Sequence, residues 1–254
     1  MRIALAALLT LALAVPAGAG AKRPAVTPAH EGGHANAPEL TRLAPSRTTR
    51  ACPAGYVALT YDDGPTTQTT ALLGELSKAG LRATFFDVGA NEEAMPDVVL
   101  AMKAAGNDFG NHTYWHVNGA STTWTHEHLI KDIGDTTLLH EWITGDRHTY
   151  FRPPYDQWMP QDVMDAVGLT QVTWTLDTHS YDGVSASKIA DTFRMARGGD
   201  IVLMHDGYAT EVKAIAQIAR ILKAKGLCAG RLVPSTTATT NSWGESFFVT
   251  AGPW

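Results

Sequence analysis

Charge and cysteine are both scarce in this chain of 254 residues. Charged residues make up 18% of it, and acids outnumber bases 25 to 20, for a formal net charge of -5. With no basic footprint to attract a phosphate backbone, no nucleic-acid partner is expected. Long apolar runs are missing as well: beyond residue 21 nothing is long and apolar enough to span a bilayer. The only two cysteines, Cys52 and Cys228, have neither CxxC spacing nor a neighbouring histidine cluster, which disfavours a thiolate metal site. In an exported protein an isolated pair is more often a disulfide, and this one is expected to staple the two ends of the folded part together.

What is present begins with Arg2, an apolar run from Ile3 to Val15, and the small residues Ala17-Gly18-Ala19-Gly20-Ala21. That order reads as a secretory signal over residues 1–21 rather than a membrane anchor, so a secreted protein, free of the membrane after cleavage, is expected. Residues 22–50 mix Pro, Ala, Thr and Arg with no apolar period and read as a linker or loosely attached arm. His30 and His34 stand four apart there and are expected to be solvated rather than to hold a metal. Residues 51–254 are expected to form one catalytic domain, acting as a monomer.

From Cys52 onward short apolar runs alternate with amphipathic stretches. Strands are predicted over residues 56–61 (YVALTY) and 83–88 (ATFFDV), into Asn111, and over 149–152, 171–176 and 201–204. Helices are predicted around residues 72–79, 96–105, 125–143, 160–167, 185–197 and 210–225, with Gly80 and Gly226 as C-terminal stops. Repeated βα units imply an α/β fold, a parallel sheet covered by helices, and their number suggests closure into an irregular (β/α) barrel of about seven strands. Chemistry in such folds sits at the carboxyl ends of the strands.

Those ends are polar. The first strand runs into Tyr61-Asp62-Asp63-Gly64-Pro65, where successive carboxylates point in different directions and can take different roles. Taken alone, the pair reads rather as a cap for the next helix, a preference that the other strand-end motifs reverse. The third strand runs into His112-Thr113-Tyr114-Trp115-His116; on a helical turn this spacing presents both imidazoles on one side, suited to one metal ion. His126 and His128, two apart on the long helix, face different directions and are expected at the surface. The fourth strand ends in Arg152-Pro153-Pro154-Tyr155, whose prolines stiffen the loop, and the sixth ends in Leu203-Met204-His205.

Over Cys52 to Val233 these motifs (TYDDGP at Thr60 to Pro65, HTYWH, RPPY, LMH, and ATFF at Ala83 to Phe86) resemble the polysaccharide deacetylases of the NodB-homology type. This carbohydrate esterase family includes chitin, peptidoglycan and acetylxylan deacetylases. The resemblance implies one divalent metal, commonly zinc and sometimes cobalt or manganese, held by Asp63, His112 and His116. It implies Asp62 as general base, Arg152 as the cation that orients it, the Tyr155 backbone N–H as an oxyanion donor, and His205 as the acid for the leaving group. Pro153, Leu203 and Tyr181 would line the acetyl pocket, Tyr181 as an aromatic wall. Two departures stand out. The family's Asp-Trp pair, whose Asp orients the catalytic histidine, is replaced by Ser180-Tyr181, which leaves Asp177 or Asp182 for that duty. Asp156 stands where a glycine often follows the loop.

The expected substrate is an acetylated polysaccharide or oligosaccharide with N-acetylglucosamine units, chitin-type or peptidoglycan. The stretch after Gly226 resembles that of chitin-type members. An O-acetyl esterase acting on xylan, or a binding protein that has lost catalysis, are the alternatives. A glycoside hydrolase needs two carboxyl groups about 5 to 9.5 Å apart across a sugar bond, which adjacent acids beside a histidine pair fit poorly.

Overall fold

The computed structural model describes residues 52–121, 123–241, 244 and 246–254. Residues 1–21, expected as an export signal, and 22–50, expected as an arm with His30 and His34, lie outside the described residues. The central strand β1 (Tyr56–Asp62) is followed by α1 (Thr69–Ala79), β2 (Thr84–Asp87), α2 (Gly89–Ala94), α3 (Pro96–Ala104) and β3 (Asp108–Asn111). Next come α4 (His126–Thr144), β4 (Tyr150–Phe151), α5 (Gln161–Val167), β5 (Thr170–Gln171), β6 (Leu176–Asp177) and α6 (Ala186–Thr192). The chain ends with β7 (Ile201–His205), α7 (Ala209–Ala224), β8 (Cys228–Thr240) and β9 (Ser246–Gly252). The sheet runs β5-β4-β3-β2-β1-β7-β6 with every neighbouring pair parallel.

The two-residue period of the strands sorts the core. On β1, Val57, Leu59 and Tyr61 pack with the helices, together with Leu72 and Leu76 of α1 and Ile215 and Ile218 of α7. Burying each such side chain stabilises the fold by roughly 1.5–3 kcal/mol. Ala58 has the opposite parity and joins Phe86, Trp174, Ile201 and Leu203 in the barrel interior. Asp62 shares the parity of Ala58, and on β7 His205 shares that of Ile201 and Leu203. Both strands therefore bring a polar side chain to the interior face where their apolar run stops.

The predicted strand over residues 171–176 is two strands. Thr170–Gln171 pairs with β4 and Leu176–Asp177 with β7, at opposite edges of the sheet, so residues 172–175 bridge the gap where the barrel fails to close. An unbroken apolar run looks like one strand, because apolar character does not reveal which neighbour each half pairs with. Two elements went unpredicted: the six-residue α2, too short to show a helical period, and the antiparallel hairpin of β8 and β9. The start of β8 also pairs with the start of β1, and a Cys52–Cys228 disulfide joins the same two segments. No helix among the described residues is long and apolar enough to cross a membrane.

Candidate active site

Asp62, the last residue of β1, is 4% exposed, and its carboxylate is clamped from one side. One guanidinium nitrogen of Arg152 donates to Asp62 Oδ1 at 2.8 Å and to Thr60 Oγ1 at 2.8 Å. The remaining donors of the wholly buried Arg152 fill the gap in the barrel: Nε donates to the Val172 carbonyl at 3.4 Å and the other terminal nitrogen to that of Thr173 at 3.0 Å. The guanidinium lies 4.1 Å above the Phe86 ring. Burial lowers the Arg152 pKa, opposed chiefly by Asp62. With Oδ1 engaged, Asp62 keeps Oδ2 3.9 Å from His112 Nε2 and lines an open cleft of about 690 Å³ together with Asp63, Pro153, Tyr155, Leu203 and His205.

Asp63 adopts a left-handed backbone (φ 72°), a conformation Asp tolerates better than most residues, and so turns away from its neighbour. Neither acid caps the next helix, whose N-cap is Gln68. The HTYWH segment is not the helical turn its spacing suggested. Thr113 (φ 64°) and His116 (φ 54°) are left-handed, and the loop is held from outside. The Asn111 side chain accepts from the Thr113 N–H, Asp132 accepts from the Tyr114 N–H, and the first N–H groups of α2 donate to the Thr113 and Tyr114 carbonyls. Gly89 permits that approach, since a Cβ there would lie 3.1 Å from the Tyr114 Cα.

This loop brings both imidazoles onto one carboxylate oxygen. His112 Nε2 is 3.5 Å and His116 Nε2 3.1 Å from Asp63 Oδ1. His112 Nδ1 lies 2.7 Å from the Arg152 carbonyl, an oxygen that only accepts, so Nδ1 carries the proton and Nε2 turns its lone pair toward the carboxylate. A lone pair meeting an anionic oxygen calls for a cation between them. Burial disfavours charge on both groups, but the carboxylates raise the His112 pKa and the imidazoles hold that of Asp63 far below its usual range. The three donor atoms lie within 4.8 Å of one another and Asp63 Oδ1 is buried, so two nitrogens and one oxygen suit a divalent ion.

A second group with comparable spacing, Glu92, His140 and His148, is wholly buried. His140 pairs with Glu92 at 2.8 Å and stacks on His148 with centroids 4.2 Å apart, which sets the ring edges side by side rather than converging. His126 and His128 are exposed, as expected.

Beside Asp62, His205 is its register partner on the adjacent parallel strand. A polysaccharide deacetylase family profile matches residues 49–172. A family 4 carbohydrate esterase from Streptomyces lividans, solved with acetate, superposes with a TM-score of 0.71 at 33% identity, covering 79% of this chain and 98% of that one. The chain belongs to the family 4 carbohydrate esterases, the NodB-type polysaccharide deacetylases. A bifunctional xylanase/xylan deacetylase from Cellvibrio japonicus is 36% identical over 72% of this chain, and a chitin deacetylase from Pestalotiopsis sp. 34% identical over 67%. The chain spans 28% and 60% of those two curated relatives' lengths.

The profile match stops at residue 172, before the second half of the cleft. Of the expected residues there, Leu203 and His205 line the cleft with Asp177 and Tyr181. The orientation of His205 expected of Asp177 or Asp182 falls to neither. Asp177 accepts from the His179 N–H at 2.7 Å and the Tyr181 hydroxyl at 3.0 Å, and Asp182 turns toward His179. His205 Nδ1 instead faces the Ser180 hydroxyl at 3.1 Å, and the Tyr181 ring packs edge-on against the imidazole at 5.1 Å. Burial, with the Asp177 hydrogen bond, pushes the Tyr181 hydroxyl up to about 12. Asp156 is left-handed (φ 55°), the conformation a glycine would supply at that point, and Tyr155 before it is also left-handed (φ 60°). Glu211, buried beside Ser180, was missed. Its sequence signal is an acid on the α7 stripe of Ala214, Ile215 and Ile218, where an apolar residue belongs.

Proposed function

We propose that the protein is a secreted, metal-dependent deacetylase that hydrolyses N-acetyl groups of N-acetylglucosamine-containing polymers or oligomers. The observation that carries this reading is one cleft that gathers a clamped carboxylate, Asp62, the imidazole of its register partner, His205, and the Asp63, His112 and His116 donor set.

Asp63, His112 and His116 would hold the divalent ion, zinc by ligand type, which supplies Lewis acidity toward the acetyl carbonyl and water. Asp62 Oδ2 takes a proton from the attacking water, while Arg152 keeps the carboxylate's other oxygen fixed. The Tyr155 N–H faces the oxygen on which negative charge develops. His205 gives a proton to the departing nitrogen, and Tyr181 walls the pocket that takes the acetyl group. An amine leaves poorly unless protonated, so a dedicated imidazole beside the base favours an amide over an ester. Exposed Tyr155 and Tyr181 rings at the cleft suit stacking on sugar faces. The disulfide and the N-terminal pattern both support export.

Acetate release from chitooligosaccharides, peptidoglycan and acetylxylan by the zinc-loaded protein tests this reading. Faster release from the N-acetylated substrates supports it; release from acetylxylan alone would assign an O-acetyl esterase, and release from none would remove the enzymatic reading.

A further inference from the structure

The buried group of Glu92, His140 and His148 takes no part in the proposed reaction, yet it lies between the two helices that hold the metal-donor loop. Glu92 belongs to α2 and His140 to α4, and Glu92 Oε1 lies 2.8 Å from His140 Nδ1. The His140 ring stacks on His148 at 4.2 Å and tilts against Phe109 at 4.6 Å, so two neighbouring rings fix its plane. Each helix grips the same stretch of loop. From α2, the Gly89 and Ala90 N–H groups donate to the Thr113 and Tyr114 carbonyls, each at 3.0 Å. From α4, Asp132 Oδ1 accepts from the Tyr114 N–H at 2.7 Å. Asn111, whose side chain accepts from the Thr113 N–H, donates to the Ile133 carbonyl at 2.8 Å and to Thr137 Oγ1 at 3.0 Å, both on α4. The contact between Glu92 and His140 closes a ring of hydrogen bonds that runs from the loop to α2, across to α4 and back to the loop. The two helices approach closely within it, since a Cβ on Gly89 would fall 2.8 Å from Thr136 Oγ1 of α4. Thr113 and His116 in this loop are left-handed, a backbone state that such residues keep only where the surroundings over-determine it.

We infer that Glu92 and His140 are positioning residues of the metal-donor loop: their bond fixes α2 against α4 and so keeps His112 and His116 converged on Asp63. The inference rests on the proposed metal role of those three residues. An apolar contact between two helices is non-directional and lets one slide along the other. A buried hydrogen bond has a preferred distance and angle, and in a low-dielectric surrounding it resists that sliding. Any shift of the first turn of α2 would pass through two backbone hydrogen bonds to Thr113 and Tyr114, which lie between the two imidazoles in the chain. The same bond engages Glu92 Oε1 and His140 Nδ1 with each other, which makes this cluster a support for the metal centre rather than a second one.

The test replaces both partners at once, because removing one strands the other in the core. Glu92→Met with His140→Phe substitutes apolar side chains of similar size and is expected to fold with a urea stability close to wild type. Its zinc affinity, measured by competition with a chelating indicator, should fall about ten-fold. The visible spectrum of the cobalt-loaded protein should change with it. Glu92→Gln keeps an oxygen for His140 Nδ1 and should restore affinity and spectrum, whereas Glu92→Asp, one methylene shorter, should weaken zinc binding in the same direction as the double variant. Ile218→Val, a core substitution on α7, controls for general loosening and is expected to leave both readouts unchanged. Wild-type affinity and spectrum in the double variant and in Glu92→Asp would overturn the inference, as would a second zinc per wild-type chain that the double variant loses. If the double variant does not fold, Glu92→Asp decides alone. If wild type binds no zinc, the metal-centre reading fails, and the His112 and His116 side-chain NMR signals of the metal-free protein decide the positioning: shifted in the variants they support it, unmoved they overturn it.

Discussion

Asp62 and His205 are register partners on β1 and β7, side by side on parallel strands and both on the interior face of the barrel. One register therefore fixes the distance between the group that takes a proton and the group that returns one. If that division holds, His205→Ala should lower acetate release from a chitooligosaccharide by about 10²- to 10⁴-fold. It should slow hydrolysis of an activated aryl acetate far less, because a phenolate leaves without protonation. Comparing kcat on the two substrates checks this.

Arg152 serves Asp62 and the barrel gap together. Arg152→Ala leaves a buried carboxylate and two backbone carbonyls without their donors, and the expected loss is about 3–5 kcal/mol of stability along with activity. Arg152→Lys keeps the charge but cannot reach Asp62, Val172 and Thr173 at once, so it should recover part of the stability and little of the rate. Urea denaturation and acetate release measure the two effects.

Phe86 lies beneath the Arg152 guanidinium, and its ring leaves no room at β3: a Cβ on Gly110 would fall 2.3 Å from it. Gly110→Ala should therefore lower thermal stability and displace Arg152, reducing kcat more than the remote position suggests. The same two assays read it.

Much of this was legible in the sequence. The strand-end residues Asp62, Asp63, His112, Arg152 and His205 stood out because apolar runs stop at them, and parity with Ala58 and Ile201 turns two of them inward. The rest was hidden for physical reasons. The left-handed residues at Thr113 and His116 bring the imidazoles together, and nothing in HxxxH spacing distinguishes that loop from a helical turn. Residues 171–176 belong to two edges of the sheet, which depends on pairing rather than composition. Glu211 reaches the site from α7, outside every motif, and its one trace is an acid in an apolar stripe.

Asp156 occupies a glycine-like conformation. Asp156→Gly should keep the loop and its activity, with stability within about 1 kcal/mol of wild type, whereas the β-branched Asp156→Val should disturb the Tyr155 backbone and lower kcat. Thermal melts with acetate-release kinetics separate the two.

Burial raises the Glu211 pKa to about 7, against Ser180, the His205 N–H and Thr178, which lower it, and with Asp177 adding to the rise. The folded protein thus holds a proton that the unfolded chain has already released above its ordinary carboxylate pKa of 4.5. The stability this contributes is fully present below about pH 4.5 and is lost as pH rises through about 7. Urea titrations across that window should show the stability of wild type falling relative to Glu211→Gln as pH rises.

The most direct measurement loads wild type and Asp62→Asn with zinc and records bound metal and acetate release from chitooligosaccharides side by side. The division of labour between the adjacent acids predicts one zinc per chain in both proteins and a loss of about 10²- to 10⁴-fold in release by Asp62→Asn. Loss of zinc from Asp62→Asn, or undiminished release, would contradict it.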